Sequence, residues 1–465
     1  MSDALLVGMD VGTTSCKVTV CTVDGREAAT GKAPLSWEVT SDGVETDPAD
    51  VLQAVGAATV QALAQVPRGP VVGVGVASMG EAGVLLDRRG EAIAPVIAWH
   101  DDRDRELADR LADDLGRAEF IRSTGLPVRP QWSLTKHRWL TWHFPDAQRA
   151  VRRLGIAEWV VRALGGEEAS EFSLASRTGW LRIDSAQWWP ASVEWSGAKP
   201  SLLPPLVAAG TPLGRVSASW AGPRLLGARL TVAGHDHLAA AIGADAAGDG
   251  DQLDSCGTAE ALVRTVPAPL SGDAVHRLVS ADITVGRHAL AGRLSLLGDT
   301  RGGLLLQNVQ GLLGFDSTQL PDLDAAALRH RDRRATASLE ADGTVTLRGI
   351  GRNATPDRAW YAALASGMER AVRVDADMAA VLGPHRRTVM TGGWSRSLGV
   401  RQLRSEAWND VTVSPVHEAG GRGAALLSGV AAGIYPSADD LPTAATGGQP
   451  DRAAQSPSLT AGSSQ

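Results

Sequence analysis

Near its start the chain reads Leu5-Leu6-Val7-Gly8-Met9-Asp10, then Val11-Gly12-Thr13-Thr14-Ser15, then Cys16-Lys17-Val18-Thr19-Val20-Cys21-Thr22-Val23. Apolar and β-branched runs flank a short Gly-Thr turn, which predicts a β-hairpin. Asp24-Gly25 makes a second tight turn, and a third extended run follows. A weaker echo lies about half a chain away. Asp254-Ser255-Cys256-Gly257-Thr258 precedes the apolar run Ala261-Leu262-Val263. Strand, Gly-Thr turn and returning strand occur twice, which suggests a duplicated unit.

The intervening chain supplies the rest of an α/β pattern. A helix is expected from Asp47 to about Ala64, with Pro48 in its first turn and a stripe of Val51, Val55, Ala58 and Val60. The valines from Pro70 to Val76 predict a buried strand, and Gly83–Asp87 is expected to continue the sheet. Residues 100–165 read as charged and helical. A strand ending near Val232 leads into Gly234-His235-Asp236-His237 and a small-residue helix, Leu238–Gly243. The polar, Gly-rich stretch Ala244–Gly250 is the best candidate for a domain boundary. Gly423–Gly433 reads as helical, and residues 445–465 as a disordered tail.

At 465 residues the chain is long enough for two or three domains. Without a run of about 20 apolar residues, no membrane span is expected. No secretory leader is expected either. Three cysteines, Cys16, Cys21 and Cys256, neither build a disulfide framework nor show zinc-site spacing, which fits a reducing cytoplasm. A net charge of −7 argues against a general nucleic-acid binder. The 14 Trp outnumber 2 Tyr and 4 Phe, and eight of them fall between Trp132 and Trp195. Indoles stack on sugars, but core packing is the commoner use.

The Gly-Thr turns suit phosphate. Glycine lets the backbone approach, successive N–H groups form an anion-binding concavity, and Thr13 and Thr14 add hydroxyl donors. Asp10 is placed to hold Mg²⁺ through water, and Lys17 adds positive charge. A plain hairpin turn is the alternative use of either stretch. No G-x-x-x-x-G-K-[ST] loop occurs. Gly73-Val74-Gly75 begins like a dinucleotide fingerprint, but Ser78 stands where its third glycine belongs. Asp236, between a strand and a helix, is placed as a general base toward an alcohol. His235 and His237 open a rival reading, a metal site. Met79-Gly80-Glu81-Ala82-Gly83 presents one carboxylate in a Gly-bounded loop, and Trp99-His100-Asp101-Asp102-Arg103 forms a polar cluster.

In order, these pieces resemble the FGGY family of carbohydrate kinases, members of the actin-like, hexokinase-type ATPase superfamily. The matching segments are Asp10–Thr14, the sugar loop Ser78–Asp87, Trp99/Asp101/Arg103, Lys136/Trp139/Leu140, Gly234–Asp236, Ser255–Thr258, Thr391–Ser397 and Glu418–Ala425. They span about residues 4–436. The resemblance implies an α/β fold of two ribonuclease-H-like domains with a central cleft. Residues 1–244 would hold the sugar and the first phosphate turn, and residues 245–444 the adenosine and the second.

The same resemblance implies a kinase transferring the γ-phosphoryl group of ATP to a small sugar, ketose or polyol, with Mg²⁺ and with Asp236 as base. ATP and its phosphates fall to Asp10, Gly12, Thr13, Thr14, Lys17, Gly257, Thr258, Gly302, Gly303, Gly392, Gly393 and Ser397. The substrate falls to Glu81, Trp99, Asp101, Gln131, Asp236 and His237. A homodimer is compatible with this.

Three departures stand out. The Met-His pair of xylulose kinases falls on Gly80 and Glu81. Glu81 is closer to the Arg-Glu of glycerol kinases or the Ser-Met-Arg-Glu-Gly of autoinducer-2 kinases, without the Arg. His237 replaces the usual Asn or Gln after the base. The stretch Gly349–Val374 looks shortened, passing almost directly to a helix near Ala365. A non-catalytic sensor on the same fold and a metal-dependent hydrolase using His235, Asp236 and His237 are the competing readings. The intact Asp236 and the two turns favour the kinase.

Overall fold

The computed structural model describes residues 3–257, 259–332, 334–340, 343–352 and 354–444. Thr258 and the expected tail at 445–465 lie outside them. The hairpin forms as read. Strand β1 (Leu5–Val11) pairs antiparallel with β2 (Ser15–Thr22), and Asp10 sits opposite Lys17. Strand β3 (Glu27–Pro34) continues the meander. Strands β4 (Val71–Ser78) and β5 (Arg229–His235) add parallel on the other side of β1, giving the order β5-β4-β1-β2-β3.

The second half repeats the plan with β6 (Asp251–Ser255), β7 (Ala261–Pro267), β8 (Ile283–Arg287), β9 (Arg293–Asp299), β10 (Arg387–Thr391) and β11 (Val411–Val413). Their order is β8-β9-β7-β6-β10-β11. The antiparallel run β6-β7-β9 and the parallel pairs β6-β10 and β10-β11 match β1-β2-β3, β1-β4 and β4-β5. Strand β8 is an added edge. The molecule therefore contains two ribonuclease-H-like units, the actin-like ATPase arrangement.

Parallel strands explain where a site can form. The ends of β1, β4 and β5 converge, because Asp10 pairs with Ala77 and His235 with Ser78. In open α/β sheets ligands bind outside such carboxyl ends. The helix Ala419–Ala431 lies against this sheet and against the helix Asp236–Gly243. The approach needs glycine. A Cβ on Gly8 would fall 1.8 Å from the Gly421 carbonyl oxygen, and one on Gly423 would fall 1.8 Å from that of Ala239. Ala419, Ala424 and Leu427 then share one core with Ala77 and Ala233 of the first sheet and with Leu253, Val263 and Val389 of the second. A helix assigned by sequence to the C-terminal half thus packs between the sheets.

Several expectations change. Gly83–Leu86 does not extend the main sheet. It pairs antiparallel with Arg152–Gly155, a strand hidden inside the region read as helical. The helix at Asp47 runs Pro48–Leu63 with the Asp47 carboxylate capping Ala49 N, but Val60 points outward. The helix read as starting near Leu238 begins at Asp236. The one read as Gly423–Gly433 runs Ala419–Ala431. The helix expected near Ala365, in the stretch read as shortened, starts earlier, at Pro356, and runs 27 residues to Leu382, beyond the end of that stretch. Trp132, Trp180 and Trp189 form a core with Phe120, as the commoner use of indole predicts. No helix among the described residues is long and apolar enough to cross a membrane.

Candidate active site

The first Gly-Thr turn is pinned from below and open above. Gly12 N donates to Ser15 O at 3.2 Å, closing the turn. Trp37 Nε1 donates to the Thr13 carbonyl, and Trp99 Nε1 donates to Thr13 Oγ at 2.8 Å. An indole N–H only donates, so the Thr13 hydroxyl keeps its own proton for an acceptor outside. Thr14 is exposed at the tip. Lys17 Nζ pairs with Glu418 Oε2 at 2.8 Å. Burial works to lower the Lys17 pKa, but the charge and hydrogen bond of Glu418 and the charge of Asp10 together outweigh it, and the net shift is upward.

Two carboxylates lie at the strand ends, near enough that the charge of Asp236 raises the pKa of Asp10. Gly234 has φ +99°, and the β4–β5 register shifts between Val232 and Gly234. That bulge turns the chain and sends Asp236 into the first turn of its helix. The Asp236 pKa is pushed up to about 7, by burial first, with the Glu81 charge adding and Arg177 opposing. The Asp10 pKa is also pushed up to about 7, by burial and then by the charge of Asp236. Asp10 Oδ1 is buried with no hydrogen-bond partner among the described residues. A bare, hard carboxylate oxygen beside a second acid fits a hydrated Mg²⁺.

The histidines do not make a metal site. His235 N donates to Ser173 Oγ at 2.9 Å, and His235 Nε2 lies 3.5 Å from Asp236 Oδ1. Burial, with the Arg177 charge next, holds both His235 and His237 below the usual imidazole range, so both rings are neutral. Among the described residues only Asp254, Cys256 and Glu260 bring three ligand atoms together. Arg404 already occupies that place, donating Nε to Asp254 Oδ2 at 2.7 Å and Nη2 to Glu260 Oε1.

The sugar-loop carboxylate sits in a dense polar cluster. Glu81 Oε1 accepts from Gln131 Nε2 at 2.9 Å, Arg177 Nε at 3.0 Å and Arg177 Nη2 at 2.8 Å. Its backbone carbonyl accepts from Ser133 Oγ and Arg153 Nη2. Glu81 raises the Asp236 pKa and Arg177 lowers it, which puts both within electrostatic reach of the base. The sequence singles out Glu81, Gln131, Asp236 and His237 but gives no direct sign of Arg177. The one signal available was a lone Glu between glycines in an apolar loop, which needs a cation when buried.

Two expected substrate residues have their polar atoms engaged within the protein. Asp101 accepts from Val44 N and from Arg103 N and Nε, and Arg103 Nη1 reaches Glu45 at 2.8 Å. Lys136 Nζ closes the knot on Asp101 O at 2.6 Å and Asp104 Oδ1 at 3.2 Å. Asp101 therefore has no oxygen to offer a sugar. The indole N–H of Trp99 is engaged by the phosphate turn rather than aimed at a sugar.

The second turn is assembled from three segments. Cys256 N donates to Thr391 O at 2.8 Å, and Trp394 N donates to Cys256 O at 3.0 Å. Gly392 has φ +87°, where a Cβ would be strained and 2.7 Å from Cys256 O. A Cβ on Gly303 would fall 1.7 Å from Gly257 O, and one on Gly302 1.9 Å from Glu260 Oε2. So Gly302 and Gly303 let the start of the helix Gly302–Leu313 press against the turn. Gly257 and Gly393 face open space. Ser397 is a correction. Its hydroxyl donates to Asp324 Oδ2 at 2.7 Å and accepts from Val400 N at 3.1 Å, capping the helix Leu398–Ala407. With its proton and a lone pair engaged inside the protein, it is a structural cap rather than a nucleotide contact.

Comparison with known proteins agrees with this fold and shows the family. The family model for the N-terminal domain of the FGGY family of carbohydrate kinases matches residues 5–243, just over half of the chain. A xylulose kinase of Streptomyces coelicolor is 28% identical over 449 residues, covering 94% of this chain and 89% of that protein. A glycerol kinase of Aromatoleum aromaticum is 28% identical over 474 residues, covering 94% and 92%. The crystal structure of a ligand-bound xylulose kinase from Lactobacillus acidophilus superposes with a TM-score of 0.82 at 19% identity, covering 94% of this chain and 91% of that one. With two ribonuclease-H-like sheets, paired carboxylates at the strand ends and a family match over the whole first unit, the chain belongs to the FGGY family of carbohydrate kinases.

Proposed function

We propose that the protein transfers the γ-phosphoryl group of ATP to a hydroxyl of a small neutral polyol or ketose. The observation that carries this reading is the pair Asp10 and Asp236 at the strand ends, both with pKa values near 7, beside a turn whose Thr13 hydroxyl is left to donate outward. A base with a pKa near the working pH is the most effective proton acceptor. Asp236 takes the proton of the substrate hydroxyl. The hydroxyl oxygen attacks the γ-phosphorus in line, its O–P bond forms, and the bond to the β,γ-bridging oxygen breaks to release ADP. The N–H group and the hydroxyl of Thr13 stabilise charge on the transferring group, while the Gly12 and Gly257 N–H groups are spent on Ser15 O and Ser255 O in holding the two turns. Asp10 would hold Mg²⁺ through water, and the ion would neutralise phosphate charge. Gly393 faces open space on the adenosine side, and Gly302, Gly303 and Gly392 let the segments beside it pack closely.

Charge accounting supports a neutral substrate. Arg177 is paired with Glu81, and Arg129 with Asp282 at 2.7 Å. His235 and His237 are held below the usual imidazole range, and among the described residues neither Asp10 nor Asp236 forms an ion pair with a lysine or arginine, though the charges of Lys17 and Arg177 act on them from further off. A sugar acid would bring a further carboxylate into this surplus. Two of the similar proteins covering nearly the whole chain are named for a ketose and a polyol, and a structural neighbour of equal coverage is named for gluconate, which is why sugar acids belong in the test.

The test is ATP consumption with Mg²⁺ against glycerol, tetritols, pentuloses, hexuloses and sugar acids, beside Asp236→Asn. The expected result is one strong neutral substrate, lost in the variant. A preferred sugar acid refutes the substrate class, and near-normal turnover by Asp236→Asn refutes the base.

A further inference from the structure

Position 80 is glycine, and the space above it is filled from elsewhere in the chain. A Cβ on Gly80 would meet Arg177 Cγ at 2.6 Å, Arg177 Cβ at 2.8 Å and His235 Cδ2 at 2.9 Å. Arg177 follows the short helix Phe172–Ala175 and is buried. Its guanidinium is held at three points: Nε and Nη2 on Glu81 Oε1, and Nη1 on Thr284 Oγ at 2.8 Å. Thr284 belongs to β8, in the second sheet. Gln131 Nε2 is a third donor on the same Glu81 oxygen. Glu81 Oε2 takes none of these bonds.

We infer that Arg177 is the positioning residue of the sugar subsite, clamping Glu81 through Oε1 so that Oε2 is presented to a substrate hydroxyl. Three physical facts carry this. A carboxylate this deep needs a cation, and Arg177 supplies it. A planar guanidinium fixes a carboxylate's orientation where an ammonium only neutralises its charge. The Thr284 bond ties the clamp to the second sheet, so the subsite is complete only with both units in place. The substrate class follows. A carboxylate oxygen already balanced by its own arginine accepts from a neutral hydroxyl and repels an acid. The inference rests on the sugar-kinase reading and adds a residue to it.

The experiment compares Arg177→Gln, Arg177→Lys, Arg177→Gly and Gly80→Arg/Arg177→Gly with the wild-type protein, using the best neutral substrate of the panel. Arg177→Gln raises the KM for the sugar by about 30-fold, the cost of a lost charge-assisted clamp, with the KM for ATP within about twofold. Arg177→Lys falls between, because charge returns without the fork. The double variant supplies a guanidinium from position 80 and recovers about tenfold over Arg177→Gly. An unchanged sugar KM, equal rises in both KM values, or a double variant no better than Arg177→Gly overturns the inference. Calorimetric titration with the same sugars reads the clamp without turnover. A protein that binds a sugar but does not phosphorylate it sinks the kinase reading alone. The Arg177 inference then stands if Arg177→Lys and Arg177→Gln weaken binding in that order, and fails if they do not.

Discussion

Replacing Asp236 by Asn removes the base and relieves the fold, and both effects are measurable. The Asp236 pKa rises from 3.8 to about 7 on folding. A raised carboxylate pKa means that the folded state holds the proton more tightly than the unfolded chain. Its stabilising effect is full below the unfolded value, is lost as pH climbs toward 7, and above that the ionised group burdens the fold. About three pH units at about 1.4 kcal/mol each set a ceiling near 4 kcal/mol. The side chain is 24% exposed, so water screens part of this, and about 2 kcal/mol is the working figure. Asn carries no charge at any pH. For a unit of this size the gain is about 4–8 °C in Tm at pH 8, without nucleotide or metal. At pH 5 about a third of it remains, because the unfolded chain ionises only above 3.8. Turnover falls by about 10³-fold, the usual loss for a general base. Scanning calorimetry at the two pH values and an ATP-consumption assay read both numbers. A variant with no rise in Tm at pH 8, or with equal rises at both pH values, refutes the electrostatic account. A variant within tenfold of wild-type turnover refutes the role as base.

The other expectations test single contacts. In wild type, kcat/KM for the sugar climbs with pH along a limb centred near 7, since the base works only ionised and its pKa is raised; a limb near 4 contradicts the burial of Asp236. Trp99→Phe removes the donor on Thr13 Oγ, worth about 1 kcal/mol, and raises the KM for ATP about fivefold with little change for the sugar. A rise confined to the sugar KM returns Trp99 to the sugar side. Asp101→Asn breaks a buried pair with Arg103 and destabilises the protein by about 3 kcal/mol in urea melts, while the sugar KM of the folded variant holds. Ser397→Ala loses a helix cap, costing about 1 kcal/mol of stability with the KM for ATP unchanged. A large rise in that KM makes Ser397 a nucleotide contact after all.

Local signals carried most of the architecture. Alternation, Gly-Thr turns and the echo at Asp254 were enough to expect two related sheets, because hairpins and strand ends are written in adjacent residues. The site divides along the same line. Asp10, Thr13 and Asp236 were legible, since a turn or a strand end fixes where each points. What stayed hidden is partnership at long range. Glu81 meets Arg177 across 96 positions, and Lys17 meets Glu418 across 401. Asp101 and Ser397 have the chemistry of ligand contacts, yet each is engaged by neighbours that no periodicity announces. The repeat shows the limit most sharply. Asp10 and Asp254 occupy the same place in matching strand pairs, and by sequence they are alike. Arg404 reaches Asp254 across 150 positions and leaves no room there for a metal. Oδ1 is bare in both aspartates, but among the described residues no arginine pairs with Asp10 as Arg404 pairs with Oδ2 of Asp254. One copy of the motif is thus locked as structure while the other keeps its charge for chemistry. The difference lies in one cation on the helix Leu398–Ala407, far from either turn in the sequence.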